Sequence, residues 1–292
     1  MKRIFLLIVT NVAVMVVLSL VVQVFGLDRA LARNGMDLGG LLIISAVFGF
    51  GGAFISLLIS KWMAKMAMGV KVITQPANET EQWLVRTVQA QAQAAGVGMP
   101  EVGIFDSPDP NAFATGARRD AALVAVSTGL LRSMRRDEVE AVLGHEMSHV
   151  ANGDMVTLTL IQGVMNTFVF FLARIIGGIV DKVLLKNERG TGIGYFVTVI
   201  AAQIVLGFLA GMVVAWFSRH REFRADAGGA RFAGTNSMIG ALEALKRVHS
   251  PTALPEKMAA FGISGGQPSG FQRLLMSHPP LDERIAALNN AR

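Results

Sequence analysis

Long runs of apolar residues alternate with polar segments along this chain. Four of these runs are nearly free of charged side chains, at residues 4–25, 38–60, 155–180 and 191–218. About 20 residues of α-helix span the roughly 30 Å hydrocarbon core of a bilayer, so each run predicts a transmembrane helix. The first run is longer than the apolar core of a signal peptide, which favours an uncleaved anchor.

The order of the predicted spans determines which parts of the chain share a compartment. The spans form two hairpins, one before the polar segment 61–154 and one before the polar segment 219–292. Because an even number of crossings returns the chain to its starting side, both polar segments and both termini are expected on one face of the membrane. Lys and Arg residues near the spans are more numerous on that face than in the short loops, which predicts that the face is cytoplasmic.

The first polar segment has the pattern of mixed helix and sheet. Asn78, followed three residues later by Glu81, predicts the start of a helix that ends near Ala95, before Gly96. Short apolar runs separated by turn residues predict strands at 102–105, 111–115 and 122–127. We therefore expect a small sheet covered by helices.

The second polar segment is predicted to be helical with one interruption. Helices are expected at 218–233, 237–248 and 281–289. Residues 262–270 are too rich in Gly, Ser and Pro to be assigned one structure, and they are a candidate lid.

Composition agrees with a membrane protein and excludes several classes. Hydrophobic residues make up 52% of the 292 residues and charged residues only 16%, against roughly 25% charged residues in soluble domains. The absence of cysteine excludes disulfides, thiolate zinc sites and cysteine nucleophiles. The formal net charge of +6 is interpreted as affinity for the lipid bilayer rather than for nucleic acid, because the basic residues are not interleaved with base-stacking aromatics.

The candidate chemistry is concentrated in the sequence His145-Glu146-Met147-Ser148-His149, an H-E-x-x-H motif. Asp137, with Glu140 three residues later, predicts the cap of a helix that runs to Asn152. On that helix the two histidines lie roughly 40° apart on one face, and Glu146 lies on the flank of this face. This arrangement suits two zinc ligands and a general base that takes a proton from water.

Two histidines leave zinc short of protein ligands, so a third is expected elsewhere on the same side of the membrane. Glu222 is the preferred candidate, because Asp226 stands one turn further on and can orient a ligand imidazole. His220 is the main competitor, and it would point away from Glu222 on a helix. An exposed Glu222 paired with a neighbouring arginine is the alternative without a metal.

At these residues the sequence resembles the bacterial membrane-bound zinc metallopeptidases of the Ste24-like family. The resemblance extends over essentially the whole chain and is carried by short motifs in a fixed order: Asn111 to Gly116, Gly144 to His149, Asn152 to Asp154, Glu222 to Asp226, Ser277 to Pro280, and Arg284 with Ile285. It implies His145, His149 and Glu222 as ligands of one zinc ion and Glu146 as the catalytic acid and base.

The family resemblance also implies a fold and a cellular role. The fold would be mostly α, with four transmembrane helices and a cytosolic zincin-type α+β metallopeptidase domain. The enzyme would face the cytoplasm from the bacterial inner membrane, cleave membrane and cytosolic protein substrates in quality control, and cooperate with an ATP-dependent membrane protease. Further site residues follow from the family motifs: His278 and Arg284 as catalytic residues, with His278 as an oxyanion donor, and Asn111, Ala112, Phe113 and Ala114 as a substrate-aligning strand.

Alternatives remain at the level of both residues and function. His278 could be an ordinary loop histidine, and 111–114 an ordinary strand. An intramembrane protease is the nearest rival function, although Asp137, Glu138 and Glu140 on the motif helix would be costly to bury in lipid. A non-catalytic membrane scaffold with a structural zinc site is the second rival, but structural sites are usually closed by four protein ligands.

Overall fold

The computed structural model describes residues 37–187, 192–249 and 270–291. The predicted span 4–25 and most of the candidate lid 262–270 lie outside the described residues. Within them, the helices are α1 (Leu38–Ala67), α2 (Glu79–Ala95), α3 (Thr128–Ser133), α4 (Arg136–Asn152), α5 (Asp154–Ile179), α6 (Ile193–Ala233), α7 (Thr235–His249), α8 (Gly270–Leu275) and α9 (Leu281–Asn290). The strands are β1 (Lys71–Val72), β2 (Glu101–Phe105), β3 (Ala112–Thr115) and β4 (Leu123–Ser127).

The described residues divide into two compact units. The first contains residues 37–56 and 158–214, and the second contains Leu57–Thr157 together with residues from Ala215 onward. In the first unit α1 packs on α5 through a buried cluster of Leu42, Phe171 and Ile175.

Three helices in the described part of the chain are long and apolar enough to cross a membrane. They are α1, α6 and the combination of α5 with a π-helical turn at Val180–Leu184. Three of the four predicted spans therefore have a helical counterpart. The turn at Val180–Leu184 continues the helix into residues that we predicted as loop.

The largest departure from the sequence prediction is the length of α6. The predicted span 191–218 and the predicted helix 218–233 form a single helix, which runs from Ile193 to Ala233. Polarity changes near Ser218, but no Gly or Pro stands there to end the helix. The apolar span and the segment with Glu222 are therefore one helix.

The second unit contains a four-stranded sheet in the order β1-β2-β4-β3. Strands β2 and β4 are parallel, whereas β1 and β3 pair antiparallel with their neighbours. The three predicted strands are confirmed to within one residue at their ends. The two-residue β1 was not predicted, because two residues carry no periodicity.

Helices cover this sheet and form the main hydrophobic core. Helix α2 contributes Leu84 and Val88, α4 contributes Leu143 and Met147, and α7 contributes Leu242. The predicted ends of α2 are confirmed: the Glu81 amide donates to Asn78 Oδ1 at 2.9 Å, and Gly96 ends the helix with a left-handed φ of 63°. Helix α4 lies between α2 and α7, which fixes the motif within the core.

Candidate active site

Helix α4 carries the H-E-x-x-H motif in its last two turns. Its start differs from the prediction: Asp137 is not the cap, because the helix begins at Arg136 and the Arg135 amide donates to Glu138 Oε2 at 2.8 Å. Its predicted end at Asn152 is confirmed, with Gly153 in the left-handed region at φ 63°. The predicted apolar stripe is buried, as expected, and consists of Val139, Leu143, Met147 and Val150.

The two motif histidines meet Glu222 at the centre of the site. Glu222 is only 2% exposed, and its carboxylate oxygens lie 3.5 Å from His145 Nε2 and 3.3 Å from His149 Nε2. One ligand atom from each of the three residues lies within 4.8 Å of the others. His220 is exposed and bonds the Trp216 carbonyl oxygen, so the structure brings Glu222 to the histidines and not its competitor.

Each histidine is held by a carboxylate on its other ring nitrogen. Asp226 Oδ1 lies 2.9 Å from His145 Nδ1, as the sequence prediction required. Asp154 Oδ2 lies 2.7 Å from His149 Nδ1. Since a carboxylate only accepts hydrogen bonds, each Nδ1 carries a proton, and each Nε2 faces the centre, where its lone pair can bind a metal ion once the ring is neutral.

Sequence reasoning gave Asp154 no role. The residue belongs to one of the family motifs, and this was the only signal for it. Asp154 stands five residues after His149, beyond the turn at Gly153, so helical spacing within α4 does not apply to the pair.

The carboxylates also favour the charged imidazoles when no metal is bound. Burial by itself lowers the pKa of His149, but hydrogen bonds to Asp154 and Glu222 outweigh it and raise the pKa to about 9. Burial also lowers the pKa of His145. The hydrogen bond to Asp226 outweighs it together with that to Glu222, so the pKa of His145 is raised. A cation at the centre therefore competes with protons for both rings.

Arg284 and His278 reach this cluster from the C-terminal part of the chain. Arg284 is buried, donates from Nε to Asp226 Oδ2 at 2.8 Å, and places Nη1 3.6 Å from Glu222 Oε2. The His278 side chain is 63% exposed, and its Nδ1 lies 2.8 Å from Glu222 Oε2. The structure thus brings together all the residues predicted around the metal, with Arg284 on the carboxylate that holds His145.

The donor chemistry of this cluster fits zinc. Two imidazole Nε2 atoms and one carboxylate are a common set for catalytic zinc sites with three protein ligands. Carboxylates on the outer Nδ1 atoms are the partners that zinc-ligating histidines usually have. The residues present therefore suit the metal that the motif predicts.

A cavity of about 690 Å³ opens beside the cluster within the second unit. His145, Glu146 and Glu222 line one part of it, and Asn111 and Ala112 line another. A third part of the lining is apolar and belongs to the core, and it consists of Leu130, Val142, Met238, Ala241 and Leu242. The cavity is large enough for apolar side chains next to Glu146.

Strand β3 presents a free edge within the described part of the chain. It pairs only with β4, and Asn111, just before it, accepts from the Ser127 amide at 2.8 Å. Main-chain groups alternate in direction along a strand, so those of Ala112 and Ala114 point away from β4. The free edge therefore offers the main-chain groups of Ala112 and Ala114, whereas those of Asn111 are bonded to Ser127.

Comparison with known proteins places this geometry in a family. The sequence profile of Peptidase family M48 matches residues 78–292, which include every residue of the cluster. The chain belongs to peptidase family M48. This M48 peptidase is therefore a metalloprotease, as its motif predicts.

Relatives that match this M48 peptidase over nearly its full length are also described as proteases. It is 63% identical over 290 residues to "Protease HtpX" of Thioalkalivibrio sulfidiphilus, covering 99% of this chain and 98% of the relative. It is 62% identical over 288 residues to "Protease HtpX homolog" of Thiobacillus denitrificans, covering 99% of both chains. These relatives and the apolar helices indicate a membrane protease.

A solved structure supports the fold assignment. The crystal structure of S. mikatae Ste24p has a TM-score of 0.61 and 18% identity to this M48 peptidase. The match covers 97% of this chain but 66% of that chain, so the peptidase spans just under two thirds of its neighbour's length. At this identity the likeness shows the Ste24-like fold alone.

Proposed function

We propose that this M48 peptidase is a zinc-dependent endopeptidase of the bacterial inner membrane that removes misfolded or damaged membrane proteins. The observation that carries the proposal is that Glu146 and two members of the His145, His149 and Glu222 cluster line the same open cavity. A general base beside three metal-binding groups, next to a cavity that admits a peptide, suits peptide-bond hydrolysis.

The proposed mechanism assigns one task to each group around the cavity. His145, His149 and Glu222 would hold a zinc ion, which when bound would act as a Lewis acid on the scissile carbonyl and on water. Glu146 takes a proton from the attacking water and later delivers it to the leaving amine. Asp226 and Asp154 keep the histidine rings in the tautomer and orientation that zinc binding needs.

His278 and Arg284 have different proposed roles. His278 lies beside Glu222 and is largely exposed to the cavity, so its ring can donate to the oxyanion that forms when the carbonyl is attacked. Its Nδ1 donates to the Glu222 carboxylate, so Nε2 is a donor for the substrate only when the imidazole carries both protons. Arg284 contacts Asp226 and acts through it, so we assign it to positioning rather than to chemistry.

The substrate is proposed to bind as an extended peptide along β3. Ala112 and Ala114 present unpaired main-chain groups, and an added strand recognises a peptide backbone regardless of its sequence. The apolar part of the cavity would take an apolar side chain next to the scissile bond. Such a peptide is typical of membrane proteins that have lost their fold.

The cellular setting is also part of the proposal. The names of the relatives, the apolar helices and the excess of basic residues near the spans support an inner-membrane protein with its site and termini in the cytoplasm. Cooperation with an ATP-dependent membrane protease is proposed because the family resemblance implies it. Its substrates would be membrane and cytosolic proteins.

The two rival functions fit the geometry less well. Helix α4 packs in the unit that contains the sheet and carries several acidic residues, which disfavours cleavage inside the bilayer. Three metal-binding groups with an open cavity beside them are unlike the closed sites that serve structure alone. Cleavage sites in the middle of substrate spans would favour the first rival, and bound zinc without activity the second.

The decisive experiment compares purified wild-type protein with Glu146→Ala in zinc-containing buffer, using an unfolded polypeptide as substrate. We expect Glu146→Ala to retain zinc and to lose at least 10²-fold in the rate of cleavage. Wild-type cleavage rates in Glu146→Ala would overturn the proposed mechanism. Proteomic comparison of membranes that contain the active or the Glu146→Ala protein then tests the role in quality control.

A further inference from the structure

A buried arginine next to the proposed metal site has no role in the mechanism above. Arg221 precedes Glu222 on α6 and is 9% exposed. Its Nη1 donates to the main-chain carbonyl oxygen of Asp154 at 3.1 Å, and its Nη2 donates to Ser218 Oγ at 3.2 Å. We propose that Arg221 is a positioning residue of the metal site, which acts by fixing Asp154 against His149.

The contact between Arg221 and Asp154 bears directly on a ligand histidine. Asp154 is 3% exposed, and its carboxylate holds His149 Nδ1 at 2.7 Å. An aspartate side chain has only two rotatable bonds, so the position of its main chain largely determines where its carboxylate lies. Arg221 holds that main chain from another helix and thereby restrains the ring of His149.

The position of Asp154 makes such a restraint necessary. Asp154 is the first residue of α5, immediately after Gly153 in its left-handed conformation. The N-terminus of a helix frays more readily than its interior, because its first N–H groups lack partners within the helix. A donor from α6 on the first carbonyl of α5 prevents the Asp154 carboxylate from drifting away from His149.

The cost of burying Arg221 argues against a purely packing role. Its Nε atom is buried and has no hydrogen-bond partner among the described residues. Burying a guanidinium with an unpaired donor is unfavourable, and an apolar side chain of the same length would fill the space at lower cost. The position is therefore better explained by hydrogen-bond donors, which an apolar side chain lacks.

Arg221 has a counterpart on the other side of the site. Arg284 bonds the carboxylate of Asp226, which in turn holds His145 Nδ1. Each ligand histidine is thus held by an aspartate, and each aspartate is held by an arginine. The difference is that Arg284 bonds a side chain, whereas Arg221 bonds a main-chain carbonyl.

The test measures metal binding and does not depend on peptidase activity. We would determine the zinc Kd of the full-length protein by chelator competition and record the visible spectrum of the Co²⁺-substituted form. Arg221→Met keeps the aliphatic stem and removes the donors. We expect it to weaken zinc binding about tenfold, the low end for partners of ligand residues, and to shift the Co²⁺ bands.

Two further variants separate positioning from charge and packing. Arg224→Met removes an exposed arginine from the same helix and is expected to leave the zinc Kd unchanged. Arg221→Lys keeps a donor that can reach the Asp154 carbonyl, so it should restore affinity to within about threefold of wild type.

A mutant cycle with Asp154→Ala tests the route of the effect. If Arg221 acts through Asp154, Arg221→Met weakens zinc binding little further once the carboxylate is gone. Additive losses, or a wild-type zinc Kd in Arg221→Met, would overturn the inference. Should Arg221→Met fail to fold, Ser218→Ala replaces it in the same measurements. This variant removes the hydroxyl oxygen that accepts from Arg221 Nη2 and orients the guanidinium, so it should also weaken zinc binding.

The inference rests on the proposed metal site, and the two can fail separately. A wild-type protein that binds no zinc would refute the proposed function. A wild-type protein that binds zinc as tightly as Arg221→Met would refute only the role of Arg221.

Discussion

Gly229 on α6 lies against the main chain of His145 on α4. A side-chain carbon on Gly229 would come within 3.2 Å of the His145 amide nitrogen and 2.9 Å of the Ala141 carbonyl oxygen. The two helices therefore approach main chain to main chain at this turn. Since Glu222 stands about two turns earlier on α6, this approach determines how far its carboxylate reaches toward the histidines.

Gly229→Ala is expected to push α6 away from α4. Forcing a methyl group into this contact should destabilise the fold by about 1–3 kcal/mol and weaken zinc binding through the displaced Glu222. Gly211→Ala on the same helix is the matched control, because nothing lies within 4 Å of a carbon added there. Thermal unfolding and zinc affinity of the two variants test the prediction, which fails if they behave alike.

Features within one helix could be predicted from the sequence. A spacing of four residues is enough to place His145 and His149 on one face of α4, and the buried stripe through Met147 follows from the same periodicity. Asn78 and Gly96 likewise identified the ends of α2 from local capping preferences. Such features depend only on residues close in sequence, so they need no knowledge of the rest of the fold.

Contacts between elements could not be predicted in the same way. The hydrogen bond from His149 to Asp154 crosses the turn at Gly153, and the bond from Arg221 to Asp154 joins the interior of α6 to the first residue of α5. Glu222 was found only because a third ligand was required and Asp226 stood one turn away. The wrong cap at Asp137 has a different, local cause: the helix begins at Arg136, and Glu138 bonds the Arg135 amide at its start.

The stability of the metal-free protein should depend on pH through His149. Burial lowers its pKa, but the carboxylates of Asp154 and Glu222 raise it to about 9, above the ordinary value of about 6.5. The stabilisation is therefore fully present below pH 6.5 and is lost as pH rises through 9. Over this interval the free energy of unfolding is expected to fall by about 3 kcal/mol.

Thermal unfolding in the presence of a chelator, between pH 6 and pH 10, measures this contribution of His149 to stability. The unfolding temperature should fall as pH rises, and zinc affinity should increase over the same interval because fewer protons compete for the ring. Asp154→Asn provides the control, since it removes the carboxylate and should flatten both profiles. An unchanged profile in Asp154→Asn would contradict the assigned cause.

Ala114→Pro tests the free edge of β3. The Ala114 amide points away from β4, so proline there removes a donor for the substrate but no bond of the sheet. One lost hydrogen bond corresponds to a decrease in kcat/KM of up to about tenfold for an unfolded polypeptide. Phe113→Pro is the contrasting variant, because the Phe113 amide faces β4 and its loss should destabilise the fold instead.

Peptide cleavage and zinc content, measured together, distinguish the two effects. Ala114→Pro should retain the zinc affinity and unfolding temperature of the wild type. If it cleaves at the wild-type rate, the substrate does not pair with β3.

His278→Ala separates a role in chemistry from a role in holding Glu222. His278 Nδ1 contacts Glu222 Oε2, and its largely exposed ring borders the cavity. If His278 is an oxyanion donor, removing its ring should lower kcat by about 10²-fold with little change in KM or zinc content. His220→Ala, which removes an exposed histidine that bonds only the Trp216 carbonyl among the described contacts, should leave kcat unchanged. If His278→Ala instead loses zinc while kcat per bound zinc stays constant, the ring serves Glu222 alone and another group must donate to the oxyanion.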